Sequence, residues 1–129
     1  MQTDANTQSA GLPLAGVTVL EMGTFITGPC AGMLLADLGA RVIKIEQPGS
    51  GDPFRAFKGT LYSPHFQTWN RNKQSVTLDT RGADDLAAFD ALVAQADVFI
   101  QNFRPGVAKK LGVDWERLHA INPRLVYAS

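Results

Sequence analysis

"VTVLEMGTFITGPCAGMLLADLGARVIKIE", residues 17–46, sets two apolar runs on either side of one helical stretch. Val17–Met22 and Arg41–Glu46 have the β-branched composition and length of strands. Between them, Pro29 suits a first helical turn and Gly39 the position just past the last one. Ala31, Leu34, Leu35 and Leu38 recur at helical spacing, which predicts one buried apolar face. A strand, a helix and a second strand of these lengths imply a parallel crossover, right-handed by default.

The same rhythm continues downstream. Ser75–Asp79, Asp97–Asn102 and Arg124–Ser129 read as three more strands. "GADDLAAFDALVAQA" reads as a helix with Asp84 and Asp85 in its first turn, where the helix dipole favours acids. Its buried stripe is expected at Leu86, Phe89, Val93 and Ala96. Pro105 and Gly112 bracket a short helix, and Asp114 can cap another carrying Trp115, Leu118 and Ile121. The strand runs are apolar on both faces, as a covered parallel sheet requires. The fold class is therefore α/β: a Rossmann-like three-layer sandwich with a mainly parallel sheet of about five strands. Gln47–Gln74 breaks the rhythm, with one short helix capped by Ser63 and a Gly- and Pro-rich stretch before it. Long loops in compact domains are usually functional or disordered.

The 129 residues suit one domain. Twelve basic and twelve acidic residues cancel, which argues against general nucleic-acid binding, so any anion site must be local. One cysteine, Cys30, excludes an internal disulfide and fits a reducing cytoplasm. Nothing approaches the apolar length that spans a bilayer, so no membrane partner is expected. The polar start, residues 1–11, reads as a disordered lead-in rather than a secretory signal.

A dinucleotide would need G-x-G-x-x-G after the first strand. Here Gly23, Gly28 and Gly32 are too widely spaced, and Pro29 removes an amide donor. Glu46, which ends the second strand, then reads as a solvated strand end. Cys30 reads as a small apolar residue rather than a nucleophile. His65 and His119 read as loop, interface or boundary residues, and no metal set is evident. Trp69 reads as core. Phe103, just past a strand end, is a candidate to touch a ligand. The basic residues point further. Arg55, Lys58, Arg71 and Lys73 occur with no acid between Pro53 and Leu78. Arg81 follows the third strand, and Arg104, Lys109 and Lys110 follow the fourth. Ligands of open α/β sheets bind beyond the carboxyl ends of the strands, so Arg81, Arg104 and Lys110 could meet a polyphosphorylated ligand, as against plain solvated charge.

Three stretches, "LPLAGVTVLEMGTFITGPCAGMLLADLGARVIKIEQPGSGDPFR", "NRNKQSVTLD" and "ADVFIQNFRPGVAKKLGVDWERLHAINPRLVYAS", resemble the N-terminal part of family III CoA-transferases. That group is typified by formyl-CoA transferase and carnitine CoA-transferase. The resemblance covers residues 12–129 and implies coenzyme A or an acyl-CoA as substrate, a carboxylic acid as the second reactant, and no tightly bound cofactor. By motif, Leu78, Asp79, Thr80 and Arg81 would line the adenosine end. Asn102, Phe103 and Arg104 would meet the pantetheine–phosphate region, and Lys110 a phosphate. Gln47 stands where the family is often basic, and Ile26 where formyl-CoA transferase has a glutamine. The family's nucleophile is an aspartate that forms an aspartyl-CoA thioester and lies downstream of "NPRLVYAS". These residues would then be the CoA-binding half without a catalytic residue, inactive alone, and the full-length form a homodimer. An α-methylacyl-CoA racemase-like isomerase fragment, or a non-catalytic CoA-binding or assembly module, remains open beside it. "NRNKQSVTLD" favours the transferase.

Overall fold

A computed structural model describes residues 11–58 and 63–129. All but Gly11 of the expected lead-in lies outside the described residues. Five strands form one sheet: β1 (Thr18–Glu21), β2 (Arg41–Glu46), β3 (Lys73–Thr77), β4 (Val98–Ile100) and β5 (Val126–Ala128). Their order is β3-β2-β1-β4-β5 and every pairing is parallel. This is the Rossmann order, with its switch point between β1 and β4. β3 starts two residues earlier than the sequence suggests, so Leu78, Asp79 and Thr80 belong to the loop beyond its carboxyl end.

The helices are α1 (Thr27–Asp37), α2 (Pro64–Asn70), α3 (Ala83–Val93), α4 (Val107–Lys110) and α5 (Trp115–Ile121), with a 3-10 turn at Pro53–Ala56. Strand side chains alternate between two apolar layers. Leu20, Ile43 and Phe99 point to one, where Phe89 and Val93 of α3 and Leu118 of α5 meet them. Val19, Val42 and Ile100 point to the other, where Ala36 of α1 packs. The expected α3 stripe is present: Phe89 and Val93 are fully buried, Ala96 nearly so, and Leu86 packs beside them.

The expected α1 stripe is only half present, since Ala31 and Leu35 pack against the core. Leu34 and Leu38 are exposed, and the helix buries Gly28, Pro29, Gly32, Met33 and Ala36 instead. The reason lies underneath the helix. A Cβ on Gly32 would stand 3.1 Å from Glu21 Cγ and 3.4 Å from Lys73 Cε. Small residues let α1 close over two charged side chains, and leucines there would not fit. The cap expectations hold, because Ser63 Oγ accepts from Phe66 N–H and Asp114 Oδ1 from Arg117 N–H.

Phe99 lies wholly buried between Phe89 and Tyr127, with ring centroids 5.9 and 5.3 Å away. Phe99→Ala should therefore cost about 3–5 kcal/mol in denaturant unfolding. A loss below about 1 kcal/mol would contradict this packing.

Candidate functional site

The carboxyl halves of β1 and β2 carry charges in otherwise apolar strands, and Lys73 adds one at the start of β3. Glu21 and Lys44 are register partners on β1 and β2, and both are fully buried. Lys44 Nζ lies 3.3 Å from Glu21 and 2.9 Å from Asp52 Oδ2, and donates to Gly23 O at 2.9 Å. Lys73 Nζ, its side chain 2% exposed, lies 3.0 Å from Glu21 Oε2. It donates also to Pro29 O and Asn70 Oδ1. Two acids and two bases thus alternate as Asp52, Lys44, Glu21 and Lys73. Burial holds the Lys73 ammonium pKa below its ordinary value, against the pull of Glu21.

Glu46 is the second anchor. The solvated strand end expected there is contradicted, since Glu46 is 5% exposed. Arg55 donates to both its carboxylate oxygens at 2.7 Å. Ser75 Oγ and Asp52 N–H donate to it at 2.6 and 2.9 Å. Gly51 makes this fold-back possible: it holds φ +63°, and a Cβ there would stand 2.6 Å from Glu46 Oε2. "GDPFR" is thus a strap returning onto the end of β2, with Asp52 Oδ1 accepting from Phe54 N–H.

Of these charges Lys44, Glu46 and Asp52 border a cleft of about 180 Å³. Its apolar walls include Met22, Ile45, Leu78, Phe103 and Leu111. Gln47, Asp79, Thr80 and Arg81 also line it. The Thr80 hydroxyl is buried and has no hydrogen-bond partner among the described residues. Of the residues expected at the site, Gln47, Leu78, Asp79, Thr80, Arg81 and Phe103 come together here, while Asn102, Arg104 and Lys110 are not part of the lining. Asn102 bridges the switch point. Its Oδ1 accepts from Thr24 N–H, and its Nδ2 donates to Thr24 O and Thr27 Oγ1, all within 2.9 Å. Arg104 and Lys110 are exposed, each next in sequence to a cleft residue, Phe103 and Leu111.

Half of the basic field read from the sequence is neutralised. Arg55 pairs with Glu46, Arg71 with Asp37, Lys73 with Glu21 and Arg81 with Asp79. The Arg81–Asp79 pair is exposed, and such pairs contribute little. Arg104, Lys109 and Lys110 form no salt bridge among the described residues. α4 has only four residues, so it aligns too few peptide dipoles to add much attraction. Cys30 is half-buried in the first turn of α1. His65 packs on Phe54 and Phe57, and His119 stacks on Trp115. Trp69 is only half-buried. Sequence reading missed Glu21, Lys44 and Asp52. Opposite charges inside two neighbouring apolar strands were the available signal.

The model of CoA-transferase family III matches residues 14–129. The chain is 46% identical over 117 residues to the succinyl-CoA–D-citramalate CoA-transferase of Chloroflexus aurantiacus, covering 88% of this chain and 29% of that protein. It is 44% identical over 119 residues to the acetyl-CoA:oxalate CoA-transferase of Acetobacter aceti, covering 91% and 31%. A CAIB/BAIF family protein from Brucella suis has a solved structure that superposes with a TM-score of 0.84 at 41% identity, covering 91% of this chain and 33% of that one. The chain thus spans about a third of the length of these proteins.

Burial pushes the Glu46 carboxyl pKa up, but the bonds from Arg55, Ser75 and Asp52 N–H outweigh it and hold it at about 2, against 4.5. A depressed carboxylate adds stability that is present above pH 4.5 and lost as pH falls towards 2. Glu46→Gln should cost about 2–3 kcal/mol at pH 7. That deficit should shrink through this acid window in urea melts. A deficit independent of pH would contradict the assignment.

Proposed function

The chain belongs to CoA-transferase family III, and from that membership we propose that it carries the CoA-binding part of an enzyme moving CoA from an acyl-CoA donor to a carboxylate acceptor. The observation that carries this reading is the split character of the cleft and its mouth. The cleft surface is mainly apolar and the cations that line it, Lys44 and Arg81, are already paired, which suits a neutral base better than a phosphate. The buried Thr80 hydroxyl offers that base or its ribose an unmet hydrogen bond. Arg104 and Lys110, exposed beside cleft residues, suit phosphates. Coenzyme A has both parts, an adenosine end and a 3′-phosphate with a pyrophosphate. In this reading Gln47, Leu78, Asp79, Thr80 and Arg81 surround the adenosine. Phe103 walls the cleft, and Arg104 and Lys110 meet phosphates. Asn102 contributes through the β1–α1 loop that its amide holds.

The relatives are named for succinyl-CoA, acetyl-CoA, oxalate and D-citramalate. A short acyl-CoA donor and a small carboxylic acid acceptor are the substrates proposed here. Coenzyme A is then a substrate, with no tightly bound cofactor. The chemistry proposed is the family's attack of an aspartate on the thioester, giving an aspartyl-CoA intermediate. Glu21, Glu46 and Asp52 are each buried and ion-paired, which fits them poorly for that attack. We place the nucleophile outside these 129 residues and expect no transferase turnover from this chain alone. A cytoplasmic enzyme fits the single thiol. No described helix is long and apolar enough to cross a membrane. Exposed Leu34, Leu38 and Val126 leave apolar surface for the rest of a full-length homodimer.

Calorimetry with CoA tests the phosphate assignment. Arg104→Ala should weaken binding by about 1–3 kcal/mol, and the deficit should narrow at high salt. An unchanged affinity would remove Arg104 from the site. Acyl-CoA turnover by the pure chain would overturn the placement of the nucleophile.

A further inference from the structure

The stretch from Gly23 to Pro29, the β1–α1 loop and the first turn of α1, is held by four side chains. Lys44 Nζ donates to Gly23 O at 2.9 Å, and Lys73 Nζ to Pro29 O at 2.7 Å. Glu21 lies between these two ammonium groups, at 3.3 and 3.0 Å. Asn102 takes Thr24 N–H and gives to Thr24 O across the switch point. Asp52 Oδ1 accepts from Phe25 N–H at 3.4 Å while Oδ2 faces Lys44. Within this cage Phe25 keeps φ +63°. A side-chain-bearing residue stays in that region only when its surroundings over-determine it.

Buried ion pairs are poor stabilisers compared with apolar residues of similar volume. Their advantage here is direction. An ammonium group has three donors and can hold a carboxylate and a carbonyl together. Lys73 uses all three, on Glu21, Pro29 O and Asn70 Oδ1. The rest of "NRNK" docks the far end of α1, where Arg71 and Asn72 both donate to Asp37. The stretch therefore grips α1 at its first turn and at its last. Lys73 is not part of the cleft lining, but Gly23 and Thr24 are.

We propose that Lys73 is a positioning residue: through Glu21 and Pro29 O it fixes the β1–α1 loop as a wall of the ligand cleft, without touching the ligand. This rests on the CoA reading of the cleft. Loosening the loop would leave the binding-competent arrangement only partly populated, and apparent affinity falls by that fraction.

The test is the double variant Glu21→Gln/Lys73→Met, which removes one charge of each sign and keeps the Lys44–Asp52 pair. In the 129-residue chain it should retain a cooperative melt. Amide exchange at Thr24 and Phe25 should rise about tenfold, with Leu20 and Phe99 changing less than about twofold. The Kd for CoA should rise about fivefold. Unchanged exchange at Thr24 and Phe25, or unchanged CoA affinity, in the folded variant overturns the proposal. Failure of the unaltered chain to bind CoA would sink the reading of the cleft instead, and exchange alone then decides. If the double variant does not fold, Asn70→Ala removes one Lys73 acceptor and keeps all four charges. It should give the same pattern at smaller amplitude, and unchanged loop exchange there counts against the proposal.

Discussion

The pairing of Glu21 with Lys44 across β1 and β2 is the contact on which the rest of the site depends. Both are fully buried at the carboxyl ends of central strands. An unpaired charge in that position would be severely destabilising, so each fixes the other. Lys44 then draws in Asp52 and with it the strap from Gly51 to Arg55. Glu21 draws in Lys73, and with it the start of β3. One cross-strand pair therefore ties two distant segments to the edge of the same cleft. The four charges Asp52, Lys44, Glu21 and Lys73 cancel one another inside the fold.

The fold was legible because periodicity and turn chemistry report it directly. The alternation of Val19/Leu20, Val42/Ile43 and Phe99/Ile100 between two apolar layers is what a covered parallel sheet demands. Ser63, Asp114 and Pro64 act as the caps and first-turn residues their chemistry suggests. α1 misled because helical spacing says which residues share a face, not which face turns inward. Leu34 and Leu38 are exposed since α1 turns Gly28, Gly32 and Ala36 inward, and at Gly32 the space holds Glu21 and Lys73.

The site was legible in part, and the split is physical. Leu78, Asp79 and Thr80 follow a strand end, so topology alone carries them to the cleft. Charge is harder to read, because a sequence does not show which acid a base will meet. Arg55 and Glu46 are nine residues apart, but Lys73 and Glu21 are separated by 52. A run of bases with no nearby acid therefore resembled an anion site while the acids waited on other strands. The family motifs acquire mechanical meaning in the fold. "GDPFR" straps β2, "NRNK" grips α1, and the asparagine of "NFRPG" closes the switch point.

The central claim is that the cleft beyond β1, β2 and β3 receives the adenosine end of coenzyme A while exposed cations meet its phosphates. Amide chemical-shift mapping of the labelled chain during titration with CoA, with NAD as the comparison, tests it most directly. The account predicts saturable CoA shifts at Leu78–Arg81 and at Phe103, Arg104 and Leu111, with no matching response to NAD. Shifts confined to other surfaces, or the same response to both nucleotides, would contradict it.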